Sequence, residues 1–145
     1  MLKGIDPLLS PELLKVLSSM GHRHEIAIVD ANYACDPGKV NVIRLDGVPA
    51  TAALRAVLSV LPLERNDPEG CWRMIAKSDP ANEQLIFLEF QRAIAEFEHV
   101  DMKLVPLSTA DFKDRARAAY AVLVTGETRP YGNILLRKGT VKLTK

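Results

Sequence analysis

Strand-like segments alternating with helix-like ones predict an α/β fold, a single domain over residues 1–145 in which helices cover a central, mainly parallel sheet. Three observations carry this reading. Continuously apolar runs such as Ile26-Ala27-Ile28-Val29 have the pattern of strands buried on both faces. Stretches with apolar residues at helical spacing fall between those runs. A chain of 145 residues, 48% of them hydrophobic, suffices for one well-buried core, and it shows no repeat, linker or low-complexity tract.

The first helix opens at Ser10, with Pro11 at its first position and the stripe Leu13, Leu14, Leu17 and Met20, and Gly21 is its predicted stop. A strand over Glu25 to Val29 follows. Beyond a loop holding Pro37-Gly38, Val40 to Leu45 reads as a short strand closed by Asp46-Gly47. A helix from Ala50 to Leu61 ends at Pro62, and Cys71 to Ala76, carrying Trp72, is the next strand. Leu85, Ile86, Leu88, Ile94 and Phe97 mark a long amphipathic helix over Asn82 to Phe97. Lys103 to Pro106 is a brief strand. Ser108 or Thr109 caps a helix running to Ala119, with Asp111 placed as the acidic partner of a capping box. Tyr120 to Val124 and Ile134 to Leu136 are the last strands, and Thr140 to Lys145 is a fraying tail.

Composition narrows the partners. Nineteen basic and 18 acidic residues give a formal net charge of +1, which supplies no electrostatic reason to expect nucleic acid or an anionic membrane. Cys35 and Cys71 stand in no metal or redox spacing and read as reduced small hydrophobes. The N-terminus lacks the apolar stretch of a secretory signal, and no segment approaches the ~20 apolar residues of a membrane span, so a cytoplasmic location is expected.

The chemistry gathers at strand ends, where rigid scaffolds mount functional groups. His22 lies between a helix and a strand and has two readings, a proton carrier working near neutral pH or a helix-end histidine bonding the last carbonyls. His24 offers no persuasive third ligand for a metal, and His99 reads as surface. Asp30 closes a strand as a turn cap or as a carboxylate able to bind two vicinal hydroxyls. Tyr131-Gly132-Asn133 supplies a phenol, an unobstructed backbone and an amide that donates and accepts, or is simply a glycine turn. Glu127 and Arg129 read as solvated loop charges. No nucleophile elbow and no phosphate-binding loop is found, which leaves a small polar substrate as the first expectation.

Taken together, Met1-Leu2-Lys3, Ser10-Pro11-Glu12-Leu13-Leu14-Lys15-Val16-Leu17, Met20-Gly21-His22, Asp30-Ala31, Val42-Ile43-Arg44, Asp46-Gly47, Arg115-Ala116, Thr125-Gly126-Glu127 and Tyr131-Gly132-Asn133-Ile134-Leu135-Leu136 resemble the L-fucose mutarotases and D-ribose pyranases, the RbsD/FucU sugar mutarotase family. The resemblance spans nearly the whole chain, and the glycine at 132 resembles the fucose branch, since the ribose branch more often has alanine there. It implies an RbsD/FucU-like α/β protein that opens and recloses a pyranose ring with no cofactor and no metal. It also implies closed homo-oligomers, often decamers in bacteria, with sites near subunit boundaries. His22 matches the family's catalytic histidine and Asp30 its sugar-binding aspartate, while Tyr131, Gly132 and Asn133 match its sugar-binding tripeptide. Thr109 aligns where the fucose branch has a sugar-contacting arginine and the ribose branch a histidine, so a short hydroxyl replaces a charged group. Tyr120 falls where some relatives carry phenylalanine. The resulting expectation is L-fucose mutarotation. The alternatives are a D-ribose pyranase, which changes the sugar, and a non-catalytic sugar-binding accessory protein, which needs Asp30 and the tripeptide but not His22.

Overall fold

The computed structural model describes residues 1–66 and 70–144. In chain order the elements are α1 (Pro11–Ser19), β1 (Glu25–Val29), β2 (Val42–Leu45), α2 (Ala50–Leu58), β3 (Cys71–Met74), α3 (Leu85–Glu98), β4 (Leu104–Leu107), α4 (Thr109–Ala118), β5 (Ala121–Thr125) and β6 (Ile134–Arg137). Six strands form one sheet in the order β2-β5-β1-β6-β3-β4. The β1–β5, β2–β5 and β3–β4 pairs are parallel, and β6 alone runs antiparallel to its neighbours β1 and β3. Each predicted strand and helix is present, β1 with its predicted ends and the others shifted at one end or both.

Both faces of the sheet are apolar, which is why its strands read as unbroken hydrophobic runs. Ile26, Ile28, Leu123, Ile134 and Leu136 project into a core shared with α1, α2 and α3. Ala27, Val29, Val122, Val124, Leu135, Trp72 and Met74 project to the other face, where α4 contributes only Phe112 and Ala116. The rim of that second face is closed electrostatically. Glu25 of β1 accepts hydrogen bonds from Arg115 of α4 (2.6 Å) and Arg137 of β6 (2.8 Å). Their guanidinium carbons lie 3.8 and 4.8 Å from the centre of the Trp72 ring, so the two cations share one carboxylate and cover one indole.

Local chemistry explains most element ends. Ser10 Oγ accepts the Leu13 amide (3.2 Å), as an N-cap should. Ser108, not Thr109, caps α4, its hydroxyl accepting the Asp111 amide at 3.1 Å. The helix after β2 stops at Leu58, short of Leu61, where the Val60 amide tightens onto the Val57 carbonyl three residues back (3.1 Å). The helical stop expected at Gly21 is different in kind. α1 ends at Ser19, and the buried Met20 leaves in extended conformation (φ −60°, ψ 133°), so no left-handed glycine is needed there. The left-handed residue of that connection is Arg23 (φ 72°).

Of the predicted tail, residues 140–144 carry no regular structure and Lys145 lies outside the described residues. Cys71 is fully buried as a free thiol whose pKa is pushed up to about 12 by burial, and Cys35 is free and half-buried. Among the described residues no helix is long and apolar enough to cross a membrane.

Because Phe112 is the one large buried side chain that α4 places on its face of the sheet, Phe112→Ala is expected to cost about 3–5 kcal/mol. Urea unfolding followed through the single, buried Trp72 measures this, and a loss below 1 kcal/mol would show that α4 is held by its rim alone.

Candidate active site

Parallel strands β1, β2, β3, β4 and β5 all end on one edge of the sheet, and antiparallel β6 begins there. That edge gathers residues distant in sequence. Asn133 immediately precedes β6, whose Ile134 pairs with Ile28, and this register sets the Asn133 side chain against the exit of β1. Its Oδ1 accepts the Asp30 amide at 2.8 Å, and its Nδ2 lies 3.6 Å from Met74 Sδ. Asp30 is in turn 9% exposed. One carboxylate oxygen accepts the Asn32 amide (3.0 Å) in the turn-capping arrangement expected of an aspartate after a strand. The other has no hydrogen bond among the described residues, so the turn cap uses one oxygen alone.

Tyr131 occupies the left-handed region (φ 64°), unusual for a non-glycine residue and held here by its surroundings. The Asn133 amide reaches back to the Tyr131 carbonyl (2.8 Å), and the half-buried phenol packs against both apolar cores. Gly132 between them is a steric requirement, since a Cβ would come within 2.8 Å of Glu127 Cγ and 2.9 Å of Ile86 Cδ1.

Behind this loop stands Thr125-Gly126-Glu127. The Thr125 hydroxyl donates to the Val29 carbonyl (2.8 Å), and the Gly126 amide to Val48 (2.8 Å). A Cβ at 126 would lie 2.4 Å from the Gly47 nitrogen, so two backbones touch there. Glu127 and Arg129, expected as solvated loop charges, are not. The Glu127 side chain is 4% exposed. Its Oε2 accepts the Ala50 amide (3.1 Å), capping α2, whose own N-cap, Pro49, has no side-chain group to offer. Its Oε1 accepts the Arg129 amide and Nε, both at 3.0 Å, and its carbonyl accepts the Ala31 amide (2.9 Å). Arg129 also pairs with Glu89 of α3, and its pKa is raised by Glu127 first and Glu89 second. Burial pushes the Glu127 carboxyl up, yet the bonds from Arg129 and from the Ala50 amide outweigh it and leave the pKa below its ordinary value. The signal missed in sequence is that an α2 opening with Pro49-Ala50 requires a cap from elsewhere.

His22 lies on the opposite edge, before β1. The Arg23 amide bonds the Lys138 carbonyl beyond the end of β6, which fixes the edge. Traversing β1 from Glu25 to Val29 covers about 13 Å, so one chain does not bring His22 to Asp30. Nor does His22 cap α1, because Lys138 Nζ donates to the Leu17 and Met20 carbonyls (2.8 and 2.6 Å). The imidazole Nε2 instead contacts the buried Glu64 carboxylate, a residue 42 positions away in sequence that no local pattern marked. His24 accepts the Gly21 amide at Nδ1 (2.9 Å) and stacks on the exposed Tyr120 (centroids 5.1 Å apart), which places Tyr120 on the His22 edge. Thr109 is exposed at the start of α4 on the Asp30 edge, following β4, two strand spacings or roughly 10 Å from β6. Sequence-predicted residues thus separate into Asp30, Tyr131, Gly132 and Asn133 together, Thr109 on the same edge, and His22 across the sheet.

Residues 3–141 match the model of the RbsD / FucU transport protein family. The chain belongs to the RbsD/FucU family. It is 36% identical to the L-fucose mutarotase of Haemophilus influenzae over 143 residues, covering 99% of both chains. Its fold is similar to the crystal structure of the Streptococcus pneumoniae fucose mutarotase in complex with L-fucose, with TM-score 0.87, 35% identity and coverage of 97% of this chain and 100% of that one. It is also similar to Bacillus subtilis RbsD complexed with D-ribose, with TM-score 0.76, 25% identity and coverage of 98% and 100%. The α/β class with a mostly parallel sheet is therefore the RbsD/FucU fold.

Glu127→Gln is expected to destabilise this RbsD/FucU fold by about 1–3 kcal/mol at neutral pH. The folded carboxyl titrates below its ordinary value of 4.5, so its contribution is complete above that value and lost as the pH falls through the lower folded one. Unfolding free energies of the wild type and E127Q should converge as the pH drops below 4.5. Urea titrations from neutral pH into that range test this, and a constant gap would show that another group carries the effect.

Proposed function

We propose that the protein is an isomerase that interconverts the anomers of a free monosaccharide, L-fucose first, by acid–base opening and closure of the pyranose ring. The observation that carries this reading is the locked edge at Asp30, Tyr131 and Asn133, where one Asp30 carboxylate oxygen has no hydrogen bond among the described residues and the half-buried Tyr131 stands in the loop that Asn133 ties down. Its similarity to an L-fucose mutarotase over nearly its full length supports the same chemistry and the fucose branch.

Asp30 accepts hydrogen bonds from sugar hydroxyls through its open oxygen. Asn133 fixes the Asp30 backbone and has an amide hydrogen left for the sugar, Gly132 lets the sugar-binding loop sit tightly on Glu127 and Ile86, and Tyr131 shields or hydrogen-bonds the ring. Thr109, exposed on the same edge at the start of α4, presents a hydroxyl that tunes which sugar is preferred. His22 takes the proton of the anomeric hydroxyl as the bond from anomeric carbon to ring oxygen breaks, and returns a proton to the ring oxygen. The open-chain aldehyde rotates about its first carbon–carbon bond and recloses by the reverse transfers, so one imidazole serves both directions and no atom is lost or gained.

A monosaccharide is shorter than β1, so this reading requires His22 and Asp30 to come from different copies. The functional form is then a closed homo-oligomer, for which we propose a cytoplasmic decamer with sites between subunits.

Saturation transfer between the anomeric protons of L-fucose, with D-ribose in parallel, tests the proposal. Exchange should be accelerated for L-fucose and fall on the order of 10²- to 10⁴-fold in His22→Ala. Greater acceleration for D-ribose would move the protein to the ribose branch. Full rates in a folded H22A would remove His22 from the chemistry, and no exchange with either sugar would leave a binding protein.

A further inference from the structure

Glu64 is built into the fold with unusual care for a residue outside the sugar-facing edge. It follows Leu63, which bridges to Lys138 beyond β6, and its own amide donates to the Arg137 carbonyl at 2.9 Å. Two glycines make room for its backbone. A Cβ on Gly70 would lie 2.2 Å from the Glu64 carbonyl oxygen, and one on Gly139 would lie 2.3 Å from the Leu63 carbonyl oxygen and 3.0 Å from the Glu64 nitrogen. The side chain is 1% exposed, yet the group it meets, His22, is 45% exposed. Oε1 accepts the Asn66 amide (2.9 Å), and Oε2 meets His22 Nε2, with Arg23 Nη1 4.0 Å away. Asn66 first, and His22 second, hold the Glu64 carboxyl below its ordinary range, so it is an anion at neutral pH.

An ionised carboxylate accepts hydrogen bonds and donates none, so a neutral imidazole facing it carries its proton on the nitrogen in contact. That nitrogen is Nε2. The lone pair is then on Nδ1, on the other side of a ring that is half open to solvent. Among the described residues nearby, Arg65 pairs with Glu98, and Lys138 donates to the carbonyls of Leu17 and Met20. Left-handed Arg23 turns the chain directly after His22, whose ring bonds Glu64. We infer that Glu64 is the positioning residue of the proton carrier, holding His22 in its Nε2–H form so that Nδ1 removes the anomeric proton and returns one to the ring oxygen. The carboxylate does not touch the sugar. It fixes which nitrogen acts and stabilises the imidazolium formed midway, the division of labour of a carboxylate–histidine pair in acyl-transfer enzymes.

This inference rests on the mutarotase reading with His22 as proton carrier, and the experiment keeps the two apart. Nitrogen-15 spectra of the wild-type full-length protein, with the His22 signals assigned by their loss in H22A, should show protonated Nε2 and unprotonated Nδ1 in the neutral imidazole. In Glu64→Gln, anomeric exchange of L-fucose should fall on the order of 10- to 100-fold with KM little changed. The acid limb of its pH–rate profile should move to lower pH, because removing the anion disfavours imidazolium. A purely structural role would not move that limb. Wild-type His22 found in the Nδ1–H form would overturn the inference without recourse to any variant. An E64Q with unaltered rate and limb, beside an inactive H22A, would overturn it while leaving the mutarotase reading standing. A fully active H22A would overturn both.

Discussion

β6 runs between β1 and β3, antiparallel to both, in a sheet whose other pairings are parallel, and the chemistry at either edge hangs on that placement. A strand reversed in a parallel sheet carries its preceding residues to the edge where its neighbours end. Asn133 therefore meets Asp30 at one edge, while Arg137 and Lys138 meet Glu25, Glu64 and the end of α1 at the other. The register Ile28↔Ile134 and Glu25↔Arg137 couples the two edges through four residues of rigid strand. A slip by one residue would turn Leu135 from the α4 face to the three-helix face and withdraw Asn133 from Asp30 in the same movement.

Among the described residues three glutamates are buried within this frame, and each is matched by donors rather than left in apolar surroundings. Glu127 joins α2, the β1 exit and, through Arg129, α3. Glu98 accepts the Leu63 amide and Arg65, which anchors the segment leading into Glu64. Glu64 receives the Asn66 amide and His22. Burying an ion without partners costs several kcal/mol, so each such group commits its surroundings to one arrangement. Tyr131 held at positive φ shows the same over-determination at the backbone level.

The two faces of the sheet are covered unequally. Three helices bury one face, whereas α4 and a rim of Glu25, Arg115 and Arg137 over Trp72 close the other. A two-arginine clamp on a buried indole keeps that face shut with little apolar area, and it leaves the first residues of α4, Thr109 among them, exposed on the edge where Asp30 stands.

Local pattern sufficed for the elements, because strand runs buried on two faces, 3.6-residue stripes and serine caps are written within a few residues of where they act. Ser10 and the turn at Asp46-Gly47 are read directly, and Ser108 is one of the two caps the pattern offers for α4. The same local reading singled out His22, Asp30 and the tripeptide, and family resemblance gave them roles, but neither gave the distance between them. Gly21 was misread because a glycine after a helix signals a left-handed stop only if the chain reverses there, and here Met20 is drawn into the core instead. Whether Glu127 and Arg129 are solvated depends on α2 and α3 folding against them, 77 and 40 residues away in sequence. Glu64 carries no local mark at all, since its partner and the two glycines that admit its backbone come from separate segments. The sequence by itself determined the elements, their apolar faces and the polar residues at their ends. Only the tertiary structure decided which ends meet, because strand order and the reversal of β6 are set by long-range packing that no short window of residues contains.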